Sequence, residues 1–90
     1  MAIYVAAYDL HMPDRDYEPL YKYLRTFSYA HCIDSVWLLE TTWTAAQIRD
    51  GMLKHMHEKD TILVIRAQFE AAWNEYGDCG PWVKSNQRKW

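Results

Sequence analysis

From Ala2 to Asp9 the chain alternates without offering a polar side: Ile3, Val5 and Ala7 fall on one face, Tyr4, Ala6 and Tyr8 on the other. Period-two spacing of this kind predicts a strand, and its two apolar faces both need cover. Leu10 to Asp16 carries Pro13 and reads as a loop, with Asp14 or Asp16 placed to cap the next element. Tyr17, Leu20, Tyr21, Leu24 and Phe27 then form a stripe at helical spacing, which predicts a helix from Tyr17 to Phe27. Pro19 is tolerated there because it falls in the first turn, where its missing N–H has no helical partner to lose.

The period changes after Phe27. His31-Cys32-Ile33 fits a short strand and Val36 to Thr41 a longer one, with Asp34-Ser35 as turn or bulge between them. Thr44-Ala45-Ala46-Gln47 has the spacing of a capping box, and Trp43 and Ile48 stand at the staple positions around it. The helix this starts runs through Ile48, Met52, Leu53 and Met56, despite Gly51, and ends near His57. Asp60-Thr61 leads into Ile62-Leu63-Val64-Ile65, an apolar run that again asks for cover on both faces. Beyond Ala67, Phe69 to Tyr76 reads as a short helix, residues 77–81 as a turn, and Trp82 onward as one helical turn.

Strand, helix, strand, strand, helix, strand is the order of a ferredoxin-like α/β (α+β) domain: a four-stranded antiparallel sheet with two helices on one face. Residues 1–67 make this core, and 68–90 form an extension that packs on the core or on a dimer partner. Two helices cover one side of the sheet and leave the other bare. A bare apolar face is unusual on a soluble monomer, so the pattern predicts a homodimer, with the Trp-rich extension as a partial lid.

Composition reinforces that expectation. Ninety residues suffice for one domain whose core is marginal alone, yet half the residues are hydrophobic and 16% are aromatic. Five Trp and seven Tyr are more ring surface than one thin core hides. The net charge of −2 argues against a generic polyanion binder. Lys84, Arg88 and Lys89 nevertheless make a small positive tail, a candidate contact for nucleic acid. No signal peptide is apparent after Met1, and no apolar run is long enough to span a bilayer. The predicted setting is cytoplasmic and reducing, so a structural disulfide between Cys32 and Cys79 is not expected. Cys79-Gly80-Pro81-Trp82 lacks the second cysteine that thioredoxin-like redox chemistry needs.

Among residues that carry chemistry, Asp9 stands out because it puts a carboxylate at the end of an otherwise apolar strand. One such Asp from each subunit of a two-fold dimer would make a pair able to hold Mg²⁺ or Mn²⁺. The plainer alternative is an Asp that bonds nearby loop amides. Arg66 is a partner for Asp9 if the ends of the first and last strands meet, although those two strands are not expected to be neighbours in such a sheet. His55 and His57, two apart on a helix, point to different sides and do not chelate one ion. Ser35 has no evident His–Asp apparatus and reads first as a turn residue. Neither a Walker loop nor a GxGxxG segment is present. Trp73, Trp82 and Trp90 are candidates for stacking on bases, or for packing.

Several segments together resemble a known family. Tyr8-Asp9-Leu10, Asp34-Ser35-Val36-Trp37, Thr44-Ala45-Ala46-Gln47-Ile48-Arg49-Asp50 and Asp60-Thr61-Ile62-Leu63-Val64-Ile65 resemble the small CRISPR-associated proteins of the Cas-two family. Pro13, Tyr17, Ser35-Val36-Trp37, Ala45 to Asp50 and Ala72-Trp73 resemble its SinR-like branch of bacterial, plasmid and phage proteins more closely. The likeness covers about the first three-quarters of the chain. It implies a ferredoxin-like homodimer related to nucleic-acid-processing proteins. In the Cas-two and VapD-type relatives the aspartate ending the first strand is the proposed metal ligand of a nuclease, a role that would fall on Asp9. Ser35 matches the serine of their Gln-x-Ser-Val-Phe-like segment. Ile33 stands where that segment has Gln, Trp37 replaces a smaller aromatic, and the arginine-rich loop is reduced to Arg15. The expectation is therefore a homodimeric binding or scaffold module with nucleic acid or another protein as partner. The alternative is a Mg²⁺-dependent endonuclease built on paired Asp9, with Ser35 nearby; catalysis itself is left open.

Overall fold

A computed structural model describes residues 1–68, 72, 74 and 79–84. The elements are β1 (Ala2–Asp9), α1 (Glu18–Leu24), β2 (Ser28–Ile33), β3 (Val36–Thr41), α2 (Ala45–Leu53), β4 (Thr61–Ala67) and α3 (Cys79–Lys84). The four strands form one antiparallel sheet in the order β2-β3-β1-β4. This is the ferredoxin-like order, with the two strands that were apolar on both faces lying side by side.

Register assigns the faces. Tyr4 lies opposite Leu39 and Ala6 opposite Trp37, and these residues are buried with Tyr8 against Leu20 and Leu24 of α1 and Ile48 and Met52 of α2. The other face carries Val5 opposite Leu38 and Ile65, and Ala7 opposite Val36 and Leu63. Helices α1 and α2 cover the first set; the second face is partly covered too, since Ile3 and Ala30 on it are buried and α3 packs against β2.

Both helix starts follow their sequences, by different means. At α2, Gln47 N–H donates to Thr44 Oγ1 at 3.2 Å and Thr44 N–H donates to Gln47 Oε1 at 2.9 Å, which completes the capping box. At α1 the cap position is Tyr17, without a side-chain cap bond, and Pro19 sits in the first turn. Asp16 serves from one residue further back, its Oδ1 accepting the Glu18 N–H at 2.9 Å. The regular part of α1 is shorter than the stripe predicted, and turns carry the chain through Thr26 and Phe27, whose N–H groups donate to Tyr23 and Leu24. Likewise α2 stops at Leu53, and His55 and Met56 continue in turns.

Three expectations need correction. Arg66 lies opposite Tyr4, at the far end of the β1–β4 pair from Asp9, which lies opposite Thr61. Antiparallel pairing thus separates the two residues that a meeting of strand ends would have joined. The segment 79–81, read as a turn, already belongs to α3, which packs against β2. Pro81 fits because it falls in the first turn of that helix. Finally, Cys32 on β2 is disulfide-bonded, and the only other cysteine of the chain is Cys79, the first residue of α3. The helix predicted over Phe69 to Tyr76 lies outside the described residues apart from Ala72 and Asn74. No helix of the described residues is long and apolar enough to cross a membrane.

Candidate functional site

The end of β1, the start of β4 and the β2–β3 turn meet at one end of the sheet, and the sequence candidates Asp9 and Ser35 lie there too. Tyr8 N–H donates to the Ser35 carbonyl at 3.1 Å. Below it, Trp37 Nε1–H donates to the Tyr8 hydroxyl at 3.0 Å, and that hydroxyl donates to the Asp34 carbonyl at 2.7 Å. Burial raises the Tyr8 phenol above its ordinary value, outweighing the bond from Trp37, so the hydroxyl stays a donor. This chain of bonds fixes the turn against β1. Ser35 contributes its backbone to the junction, as the turn reading expects.

Asp9 projects from the end of β1, its side chain 73% exposed, and His11 Nε2 approaches its Oδ2 at 3.2 Å. The position of His11 is set by a carboxylate that sequence reasoning passed over. Asp60, just before β4, accepts the His11 N–H on Oδ1 at 2.8 Å. Its Oδ2 accepts the Tyr17 hydroxyl at 2.7 Å and the His57 N–H at 2.8 Å. One side chain therefore ties the loop after β1, the start of α1 and the turn after α2. Burial pushes the Asp60 carboxyl upward, but the donors from His11, Tyr17 and His57 outweigh it and hold the group below its ordinary value. The Tyr17 phenol moves the other way, raised by burial first and then by its bond to Asp60.

These bonds decide what the end of the sheet can offer a ligand. Both oxygens of Asp60 are engaged by the fold, which leaves Asp9, with the His11 imidazole beside it, as the outward carboxylate of the cluster. An Asp and a His make an incomplete shell for a hard divalent cation, which takes about six oxygen ligands. No group of three or more His, Cys, Asp or Glu able to hold a metal occurs among the described residues. A metal at Asp9 would need ligands from a second copy or from a bound phosphate.

The other candidates are dispersed. Lys84 is exposed in the last turn of α3, while Arg88 and Lys89 lie outside the described residues, as do Trp73 and Trp90. Trp82 is half-buried near β2. His55 lies against the Tyr23 ring with centroids 5.8 Å apart, and His57 accepts the Lys59 N–H on its Nδ1 at 3.1 Å, so both are used locally.

The second feature of functional weight is the exposed part of the second sheet face, away from the buried Ile3 and Ala30. Ile33, Leu63 and Ile65 are 65%, 56% and 52% exposed on it, with Val5, Ala7, Val36 and Leu38 half-buried between them. Asp9 shares this face by register, at its margin. No protein-family model matches the chain, and no solved structure matches it.

Proposed function

We propose that the protein is a homodimeric binding or scaffold module of the SinR-like, Cas-two-like kind, acting on or beside nucleic acid. The observation that carries this reading is the exposed aliphatic patch of Ile33, Leu63 and Ile65 on the second sheet face, with Asp9 at its edge. Fully burying an exposed Leu or Ile is worth roughly 1.5–3 kcal/mol, and because Leu63 and Ile65 are 56% and 52% exposed, a second copy seated on the face would recover about half of that for each. Such a seat brings the two β1 strands toward one another. The positive tail that includes Lys84, Arg88 and Lys89 then occurs twice per particle, which suits a polyanion better than one copy does.

A second reading, a Mg²⁺- or Mn²⁺-dependent endonuclease, is favoured by the same exposure of Asp9. Two Asp9 carboxylates across the dimer would hold the ion, which would neutralise the phosphodiester and activate water. We place it second because Asp60 is spent on the fold and, among the described residues, Asp9 has no further metal ligand beside it than His11. The cytoplasm remains the proposed setting, with the condition that the Cys32 bond is open there, since cytosolic thiol systems keep most disulfides reduced. Trapping thiols by alkylation in intact cells tests that condition directly.

The functional test is a gel-shift titration with RNA and DNA at low and high salt, then incubation with Mg²⁺. The binding reading expects retention that weakens as salt rises, and equal retention by Asp9→Ala. Failure to retain any nucleic acid at low salt rejects it. Cleavage that depends on Mg²⁺ and disappears in Asp9→Ala would instead establish the nuclease.

A further inference from the structure

Cys32 is disulfide-bonded, and Cys79 is the only other cysteine of the chain. The two lie on different elements. Cys32 belongs to β2, an edge strand of the sheet, and Cys79 is the first residue of α3, which packs against that strand. The ladder passes over Cys32: His31 lies opposite Trp37 and Ile33 opposite Val36, so Cys32 is the extra residue of a β-bulge. A change at Cys32 therefore takes no paired residue out of the sheet. Its Sγ lies 3.8 Å from the Ala30 carbonyl oxygen, which gives a thiol at this position an acceptor.

What the bond holds is small. The helix α3 has six residues, where an isolated helix needs about 12–15 to persist in water. Its Gly80 is buried and its Trp82 and Val83 are half-buried, while Ala30 of β2 is 4% exposed. An edge strand without cover presents unpaired backbone groups to other chains. A disulfide is typically worth a factor of roughly 30–1,000 in the equilibrium it biases, large enough to decide whether so short a helix stays docked. Cys32 is half-buried at the edge of the sheet, within reach of a thiol arriving from solvent.

We propose that Cys32 and Cys79 form a reversible redox staple that holds α3 against β2 when closed and releases it when open. The reductant is a dithiol. One of its thiolates attacks a sulfur of the staple, the Cys32–Cys79 bond breaks as a mixed disulfide forms, and the second thiolate resolves that intermediate. Two electrons and two protons pass to the protein, which is left with a thiol at each cysteine, and the reductant departs as its own disulfide. An oxidant of the disulfide class reverses the exchange. In a reducing compartment the open form is the resting one, and oxidation closes the cover over the β2 edge. The staple acts at the edge opposite β4 and does not depend on either reading of Asp9.

The test compares the full chain oxidised with glutathione disulfide and reduced with dithiothreitol. Peptide mapping of the oxidised chain should find Cys32 crosslinked to Cys79 within a single chain; no crosslink, or a crosslink between chains, overturns the proposal. Hydrogen–deuterium exchange read by mass spectrometry then follows the cover. Reduction should speed exchange over residues 79–84 by roughly 30-fold or more and leave β1 and β3 unchanged, and reoxidation should restore the slow rate. Cys32→Ser and Cys79→Ser should each exchange like the reduced chain under both conditions. Circular dichroism checks the fold of each variant; if neither folds, the wild-type comparison decides. Equal exchange over residues 79–84 in the two states overturns the staple, as does a chain that stays open after reoxidation. So does a rise across β1 and β3, which would make the bond a clamp on the whole fold.

Discussion

The two faces of the sheet are built from alternate residues of the same strands and have opposite fates. Beneath the helices lie Trp37, Leu39, Tyr4 and Tyr8, large side chains among which polar tips are paired in series from Trp37 through Tyr8 to Asp34. On the other side lie Val5, Ala7, Val36, Leu38, Leu63 and Ile65, aliphatic throughout and partly in water. Burial with satisfied polar tips secures the monomer; the half-exposed aliphatic patch, bordered by Asp9 at one end and Glu40 at the other, is where the proposed second copy would sit. The contrast separates the part of the sequence that makes the fold from the part that the proposed dimer would bury.

The comparison is broken most severely from the covered side. Trp37→Ala empties the floor beneath α1 and leaves Tyr8 without its indole donor. It should cost about 3–5 kcal/mol and unfold much of the population, measured by urea denaturation. A substitution of Val5→Ala, on the open face, should cost clearly less in the same assay. Equal losses would mean that the two faces are buried alike.

Asp60→Asn comes next, with an expected loss of roughly 1–3 kcal/mol, because an amide presents donors where His11, Tyr17 and His57 donate. The pH dependence has a definite sign. The folded carboxyl titrates below its unfolded value, so its contribution is full above the unfolded pKa of about 3.9 and is lost as pH falls through the folded value. Wild type should therefore lose stability toward low pH more steeply than Asp60→Asn; parallel curves would remove Asp60 from its place as the tie.

Smaller effects sharpen the picture. Thr44→Ala removes one half of the capping box and should cost about 1 kcal/mol, read by thermal melting. Tyr23→Phe should be neutral or stabilising by up to about 1 kcal/mol, since the Tyr23 hydroxyl is buried without a partner against Gly51. A clear loss of stability would show that this hydroxyl does find a partner.

How far each feature could be read from sequence depends on the range of the interactions that make it. The capping box is written in four consecutive residues, and the two faces of β1 in simple alternation, so both were legible. The order of elements was enough for the fold class but not for the strand adjacency, since β1 and β4, expected to lie apart, are paired neighbours. Asp60 was not legible as a tie, because two of its donors lie 49 and 43 residues away and only the fold brings them together. The separation of Arg66 from Asp9 depends on which strands pair and in which direction. The Cys32 bond depends on contacts outside its own strand, and residues 79–81 were read with a turn because Gly and Pro serve at helix starts as readily as in loops.

The most direct measurement is the mass of the particle in solution, by sedimentation equilibrium or light scattering, for wild type and for the Leu63→Asp, Ile65→Asp double variant. The account predicts twice the 10.8 kDa chain mass for wild type, and a folded monomer for the variant. A wild-type chain that stays at 10.8 kDa at every concentration tested, or a variant that remains dimeric, would contradict it.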